Sequence, residues 1–204
     1  MDRADWNRRY ASQDLFWSGE PNLFLVQEVA DLPPGRAIDL AAGEGRNAIW
    51  LTEQGWRTTA VDFAETGLEK GRRIATERGL EIDWIPADLL EFEPGDGCFD
   101  LVLLFYLQVP WNQMRTVLGR AAKSVAPGGT FLLVGHDRSN LQHGHGGPSS
   151  EKVLYTPEAV AAELGDLQIV EATTRLRPVE FEDRTVNAID CFVRAVAKAR
   201  RESR

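Results

Sequence analysis

The sequence predicts an α/β fold: a doubly wound, mostly parallel seven-stranded sheet closed by an antiparallel strand pair, with an N-terminal helical cap. Three observations predict it. Short apolar runs alternate with longer amphipathic stretches between Arg36 and Gly135, the β-α-β-α order of a parallel sheet with right-handed crossovers. The run Phe99–Phe105 (FDLVLLF) is nearly all apolar, as a strand covered by helices on both faces must be. Two β-rich runs near the end, Gln168–Leu176 and Asn187–Val196, have no helix-length segment between them, so they pair as antiparallel neighbours.

The elements follow in order. Pro33-Pro34-Gly35 breaks the chain before the buried strand Arg36–Leu40. A helix is expected over Gly45–Gln54, ended by Gly55, then a strand over Arg57–Val61. Ala64–Arg78 reads as a helix stopped by Gly79, and Glu81–Ile85 as a strand stopped by Pro86. After Phe99–Phe105 come a helix over Trp111–Val125, a turn at Pro127-Gly128-Gly129 and a strand over Thr130–Gly135. Residues 136–150, rich in Gly, His and Ser, are expected as a mobile loop, and Thr156-Pro157 opens a short helix to Leu164. Residues 1–32 hold Trp6, Tyr10, Phe16 and Trp17 and are expected as a lid; residues 33–204 form a single sheet domain.

Composition narrows the function classes. The 204 residues carry 23 Lys and Arg against 31 Asp and Glu, a formal net charge of -8. That balance argues against a broad nucleic-acid or membrane-surface footprint. There is no apolar run of membrane-spanning length, and two cysteines, Cys98 and Cys191, fit a reducing cytoplasm better than a disulfide framework. A cytoplasmic protein, monomeric or homodimeric, acting on a small molecule is expected.

The sharpest segment is Ile38-Asp39-Leu40-Ala41-Ala42-Gly43-Glu44-Gly45-Arg46-Asn47-Ala48. An acid ends the first strand, small residues make the turn, and a helix begins at once. Small residues let a ligand approach the backbone, and helix N–H groups attract an anionic group. Asp62 ends the second strand, where a carboxylate can accept both hydroxyls of a ribose, and Asp88 follows the third, near an adenine. Gly43 to Ala48 also fits the dinucleotide fingerprint. However, Asp39 just before the turn suits an ammonium group better than a pyrophosphate, and a terminal antiparallel pair is foreign to the usual dinucleotide sheet. An ammonium, a carboxylate and a ribosyl adenine together describe S-adenosylmethionine.

From about Arg36 to Gly135 the chain resembles a class I S-adenosylmethionine-dependent methyltransferase. The matches are IDLAAGEGRNA at 38–48, AVDF at 60–63, ADL at 87–89, FDLV at 99–102 and APGGTFL at 126–132. The flanks, Trp6-Asn7-Arg8-Arg9-Tyr10 and Trp17-Ser18-Gly19-Glu20-Pro21-Asn22, are similar to the small soluble tellurite-resistance, thiol and thiopurine branch. The sequence departs from that pattern at Ala41 and Ala42, where the family more often has Gly and Cys. It also lacks the N/D-P-P-Y tetrapeptide after the fourth strand, which reads Phe105-Tyr106-Leu107-Gln108. The resemblance implies a cofactor site of Trp17, Asp39, Gly43, Gly45, Asp62, Phe63, Asp88, Leu89 and Phe105, with S-adenosylhomocysteine as product.

On the acceptor side Tyr106, Gln108 and His136 stand at strand ends, in apolar company that suggests a compact, largely apolar acceptor. The acceptor can be a thiol, a metalloid, a hydroxyl or an amine. His136 and His145 are the candidate proton acceptors if its nucleophile is oxygen or nitrogen. His143, His145 and Asp137 lack the rigid spacing of a metal site, so no metal is expected. The rival functions are an NAD-dependent oxidoreductase and a non-catalytic S-adenosylmethionine-binding regulator.

Overall fold

The computed structural model describes residues 1–13, 15, 19–181 and 183–199. The sheet has seven strands in the order β3-β2-β1-β4-β5-β7-β6. These are β1 (Arg36–Leu40), β2 (Arg57–Asp62), β3 (Asp83–Pro86), β4 (Phe99–Phe105), β5 (Val125–His136), β6 (Gln168–Phe181) and β7 (Arg184–Val196). The first five are parallel, whereas β7 runs antiparallel between β5 and β6. The fold class expected from the sequence, including the terminal antiparallel pair, is the one observed.

The boundaries differ in places with physical causes. The third strand lies two residues later than expected and includes Pro86. It is the sheet edge, where a missing N–H costs no ladder bond. Pro127-Gly128-Gly129 is not a turn ahead of the strand: β5 already begins at Val125 and is bulged there, between the pairs Phe99–Val125 and Leu101–Thr130, with Gly128 at φ 79°. β6 and β7 are longer than expected because their hairpin pairs as far as Phe181 and Arg184, beyond the stretch that apolar composition marks.

Alternation along the strands feeds two cores. Ile38, Leu40, Val102, Leu104, Phe131 and Leu133 pack with α5 (Trp111–Ser124) on one face. Ala37, Leu101, Leu103, Leu132, Val134 and Phe192 pack on the other with α3 (Arg46–Glu53) and α2 (Leu23–Val29). Each such buried Leu or Phe contributes roughly 1.5–3 kcal/mol relative to exposure. The N-terminal segment therefore divides. Phe24, Leu25 and Val29 of α2 belong to the sheet's own core, so α2 is no lid. Helix α1 (Arg3–Ala11) instead sits against α4 (Glu65–Glu77), with Trp6 and Tyr10 packed on Ala64.

The loop after β5, expected as a mobile wall, carries a short helix tied to β7. This helix, α6 (Asn140–His143), holds the buried Asn140. Its Oδ1 accepts from Ile189 N at 2.7 Å and its Nδ2 donates to Gly146 O at 2.9 Å. A 3₁₀ turn at Glu151–Val153 and α7 (Pro157–Ala162), capped by Thr156, complete the chain order.

Candidate active site

The carboxyl ends of β1, β2, β4 and β5 open into a cavity of about 620 Å³, within the range of small-molecule sites. One end is built from backbone. The β1–α3 turn carries Gly43 at φ 58° and Ala41 at φ 65°, and Ala41, Ala42 and Gly43 line the cavity. Asp62 fastens this turn: Oδ2 accepts from Gly43 N at 2.9 Å and Oδ1 from Ala64 N at 2.8 Å. Burial pushes the Asp62 carboxyl up, and those N–H groups oppose the rise. The Asp88 carboxylate accepts from Leu90 N at 2.9 Å. Asp62, Phe63, Asp88, Leu89 and Phe105 all line the cavity, as do Trp6 and Tyr10 from α1.

Two expected cofactor residues stand elsewhere. Gly45 is absent from the cavity wall; its φ is 72° and a Cβ there would fall 2.4 Å from the Trp84 ring. Its smallness makes room for the Trp84 ring of β3. Asp39 is also behind the wall, 1% exposed, with no hydrogen-bond partner for either carboxylate oxygen among the described residues. Burial pushes its carboxyl up to about 7; Asp62 adds to the rise, while Arg46 and the Ala48 N–H oppose it. Trp17, the remaining expected cofactor residue, lies outside the described residues.

The other end is built from side chains that are distant in sequence. Tyr106, directly after β4, has φ 53°, an uncommon conformation for a bulky residue that clusters at functional sites. Its N–H donates to Val134 O at 2.7 Å, and its hydroxyl donates to Asp190 Oδ2 at 2.8 Å. Asn22 Nδ2 donates to the same hydroxyl at 3.3 Å. Arg177 Nε donates to Asp190 Oδ2 at 2.6 Å, and His136 Nδ1 lies 3.3 Å from Asp190 Oδ1. Tyr106, His136, Arg177 and Arg46 line the cavity, so this end is more polar than expected.

Of the two expected proton acceptors, His136 is at the wall and His145 is not. The His145 backbone N–H is tied to Asn187 O at 3.1 Å, which holds that residue in the loop beside β7. Sequence reasoning misses Arg46, Arg177, Asn22 and Asp190. Asp190 does leave a signal, a lone carboxylate inside the apolar run Asn187–Val196. The same kind of signal marks Asp39.

A glycine turn after the first strand, acids at the next two strand ends and an antiparallel final pair define a class of fold, that of the class I methyltransferases. Residues 37–129 match the family model described as a methyltransferase domain. The chain is 35% identical over 123 residues to the demethylmenaquinone methyltransferase of Thermus thermophilus, covering 59% of this chain and 54% of that protein. It is 31% identical over 109 residues to a ubiquinone biosynthesis O-methyltransferase of a Caulobacter species, covering 51% and 42%. Thus the chain spans about half the length of the curated relatives it matches. Among solved structures, the N-methyltransferase NodS of Bradyrhizobium japonicum superposes with a TM-score of 0.72 at 19% identity, covering 96% of this chain and 97% of that one. TehB of Haemophilus influenzae gives 0.73 at 14% identity, covering 97% and 68%. The methyltransferase-domain match thus covers the central part of the chain, residues 37–129, and the solved structures share its fold. No helix among the described residues is long and apolar enough to cross a membrane.

Proposed function

We propose that the chain transfers a methyl group from S-adenosylmethionine to a small-molecule acceptor. The observation that carries this reading is Asp39, a buried carboxylate beneath the glycine turn with no hydrogen-bond partner among the described residues. Arg46 and the Ala48 N–H offset only part of the cost of burying this carboxylate, and an ammonium group at the turn would relieve more of it. The pyrophosphate of a dinucleotide would add a second negative charge there, which disfavours the oxidoreductase alternative.

The remaining residues fit the same ligand. Asp62 keeps acceptor capacity on each oxygen beyond the two N–H groups it already holds, which suits a pair of ribose hydroxyls. Asp88, Leu89 and Phe63 suit the adenine side, and Phe105 the region between cofactor and acceptor. When bound, S-adenosylmethionine supplies a methyl group on a positively charged sulfur. The chain's own tasks are alignment and exclusion of water, for which Trp6 and Tyr10 of α1 form a roof.

The acceptor belongs at the end walled by Tyr106, His136 and Arg177. One relative bears a name that specifies oxygen as the methylated atom, the ubiquinone biosynthesis O-methyltransferase. A cytoplasmic setting accords with the acidic composition and the free cysteines.

Thermal denaturation with S-adenosylhomocysteine or NAD, followed by mass spectrometry of an acceptor panel incubated with S-adenosylmethionine, tests the reading. Stabilisation by S-adenosylhomocysteine alone and a methylated product are expected. Stabilisation by NAD alone would overturn it. Stabilisation by S-adenosylhomocysteine with no methylated acceptor would favour the regulator instead.

A further inference from the structure

The antiparallel pairing of β5 with β7 sets Asp190 opposite His136. These residues are far apart in sequence, and only the insertion of β7 beside β5 brings them together. Asp190 has a fully buried side chain, and its Oδ1 is 3.3 Å from His136 Nδ1. That separation is at the long end for a hydrogen bond, and such bonds in ligand-free sites tighten when substrate binds. Nδ1 is buried and makes no well-formed hydrogen bond among the described residues, and Asp190 Oδ1 is the acceptor that stands beside it.

Asp190 is itself held rigidly. Arg177 Nε and the Tyr106 hydroxyl donate to its Oδ2 at 2.6 and 2.8 Å. Burial works against its ionisation, yet His136, Arg177 and Tyr106 outweigh burial and hold the carboxyl below the usual carboxylate range. The carboxylate is therefore present as an acceptor throughout the neutral range.

The far edge of the imidazole lies against backbone rather than a side chain. Gly147 passes beside it with φ 80°, and a Cβ at that position would lie 2.8 Å from Nε2. Any residue but glycine would cover the atom that faces away from Asp190. The Tyr106 ring flanks the imidazole at 5.1 Å between centroids. The groups around the imidazole are thus Asp190, Tyr106 and the Gly147 backbone, with Arg177 behind Asp190.

We propose that Asp190 positions His136 in the Nδ1–H tautomer, so that Nε2 accepts a proton from an acceptor whose nucleophile is a hydroxyl. This deepens, and rests on, the methyl-transfer reading. A thiol ionises near neutral pH and needs no such base, whereas a hydroxyl does. In the step, the O–H bond breaks toward Nε2 as the oxygen electron pair forms the new O–C bond. The pair of the breaking C–S bond stays on sulfur, converting the sulfonium to a thioether, and the imidazolium then releases its proton to water.

The test is ¹⁵N NMR of the full-length labelled chain near neutral pH, with and without S-adenosylhomocysteine, the His136 signals being identified by loss in His136→Gln. Protonated Nδ1 and bare Nε2 are expected in the wild type, with the ratio of tautomers moving toward Nε2–H in Asp190→Asn. Nε2–H in the wild type overturns the proposal, and this measurement stands even if Asp190→Asn fails to fold. A matched pair of acceptors, 1-naphthol and naphthalene-1-thiol, adds a kinetic reading. His136→Gln should slow the naphthol reaction by about 10²–10⁴-fold, leave the thiol reaction nearly unchanged, and recover naphthol turnover as pH rises through naphthol's own ionisation. Equal slowing of both overturns the proposal. Normal S-adenosylhomocysteine binding with the wrong tautomer removes only this inference, whereas absent binding removes the methyl-transfer reading itself.

Discussion

The two ends of the cavity are made in different ways. The β1–β2–β3 end is a backbone construction: small residues, a left-handed turn at Gly43, and a carboxylate that staples the turn from the next strand. The β4–β5–β7–β6 end is a side-chain construction in which Tyr106, Arg177 and His136 converge on the buried Asp190 and Asn22 supports the Tyr106 hydroxyl. The first end is fixed by local chain geometry and can hold a common ligand; the second depends on side chains that substitution can change without disturbing the sheet. Such a division suits an invariant methyl donor on one side and a particular acceptor on the other.

Substitutions at the first end should break ligand binding, and those at the second should spare it. Asp62→Ala has the largest expected effect. It removes the staple and the ribose acceptor together, a loss of roughly 1–3 kcal/mol, so calorimetry should show S-adenosylhomocysteine bound about ten- to a hundredfold more weakly. Unchanged affinity in a folded variant would detach Asp62 from the ligand.

Gly45→Ala sharpens the comparison by separating packing from binding. The new Cβ meets Trp84 in a strained backbone position, so denaturant unfolding should report about 1–3 kcal/mol of lost stability. Affinity for S-adenosylhomocysteine at low temperature should stay close to that of the wild type. A loss of affinity without a loss of stability would return Gly45 to the ligand.

Lys70 should show a smaller effect. Its ammonium donates to the Tyr10 and Gln13 carbonyls at the end of α1 and pairs with Glu44 at 3.3 Å, tying the roof to the glycine turn. Lys70→Met should weaken S-adenosylhomocysteine binding by several-fold, on the order of 1 kcal/mol for the lost hydrogen bonds, and should speed its dissociation in stopped-flow. An unchanged off-rate would mean α1 is held by Trp6, Tyr10 and the Asn7 bond to Thr66 N without help from Lys70. Least of all should change with His136→Gln, which is expected to keep S-adenosylhomocysteine affinity within about twofold while acceptor chemistry suffers.

The same division explains what is legible in the sequence. Strand ends, breakers and the glycine turn are local, and local signals suffice to place β1, β2, β4 and the acids Asp39, Asp62 and Asp88. Gly45 misleads because a glycine's sequence neighbours do not reveal that Trp84, from another strand, needs its space. His145 and His136 look alike because both lie in one short stretch, yet Asn140 folds that loop so that only His136 reaches the cavity. Arg177 and Asp190 are illegible as a site because their meeting depends on the antiparallel register of β6, β7 and β5. An arginine in an outer strand has many solvated explanations until that register is known.

Asp39 offers the most direct test of the central claim, that this cavity receives a ligand with a positively charged amino group. Its carboxyl is pushed up to about 7 from an ordinary value of 3.8. The folded chain therefore holds a proton that the unfolded chain has lost, and the stability from this group is present below about pH 4 and gone once pH has risen through about 7. An ammonium nearby favours the charged form and lowers that value. Titration calorimetry of S-adenosylhomocysteine near pH 6.5, in two buffers of different ionisation enthalpy, should show proton release on binding in the wild type and none at this site in Asp39→Asn. Binding with no proton release, or with the same release in Asp39→Asn, would contradict the account.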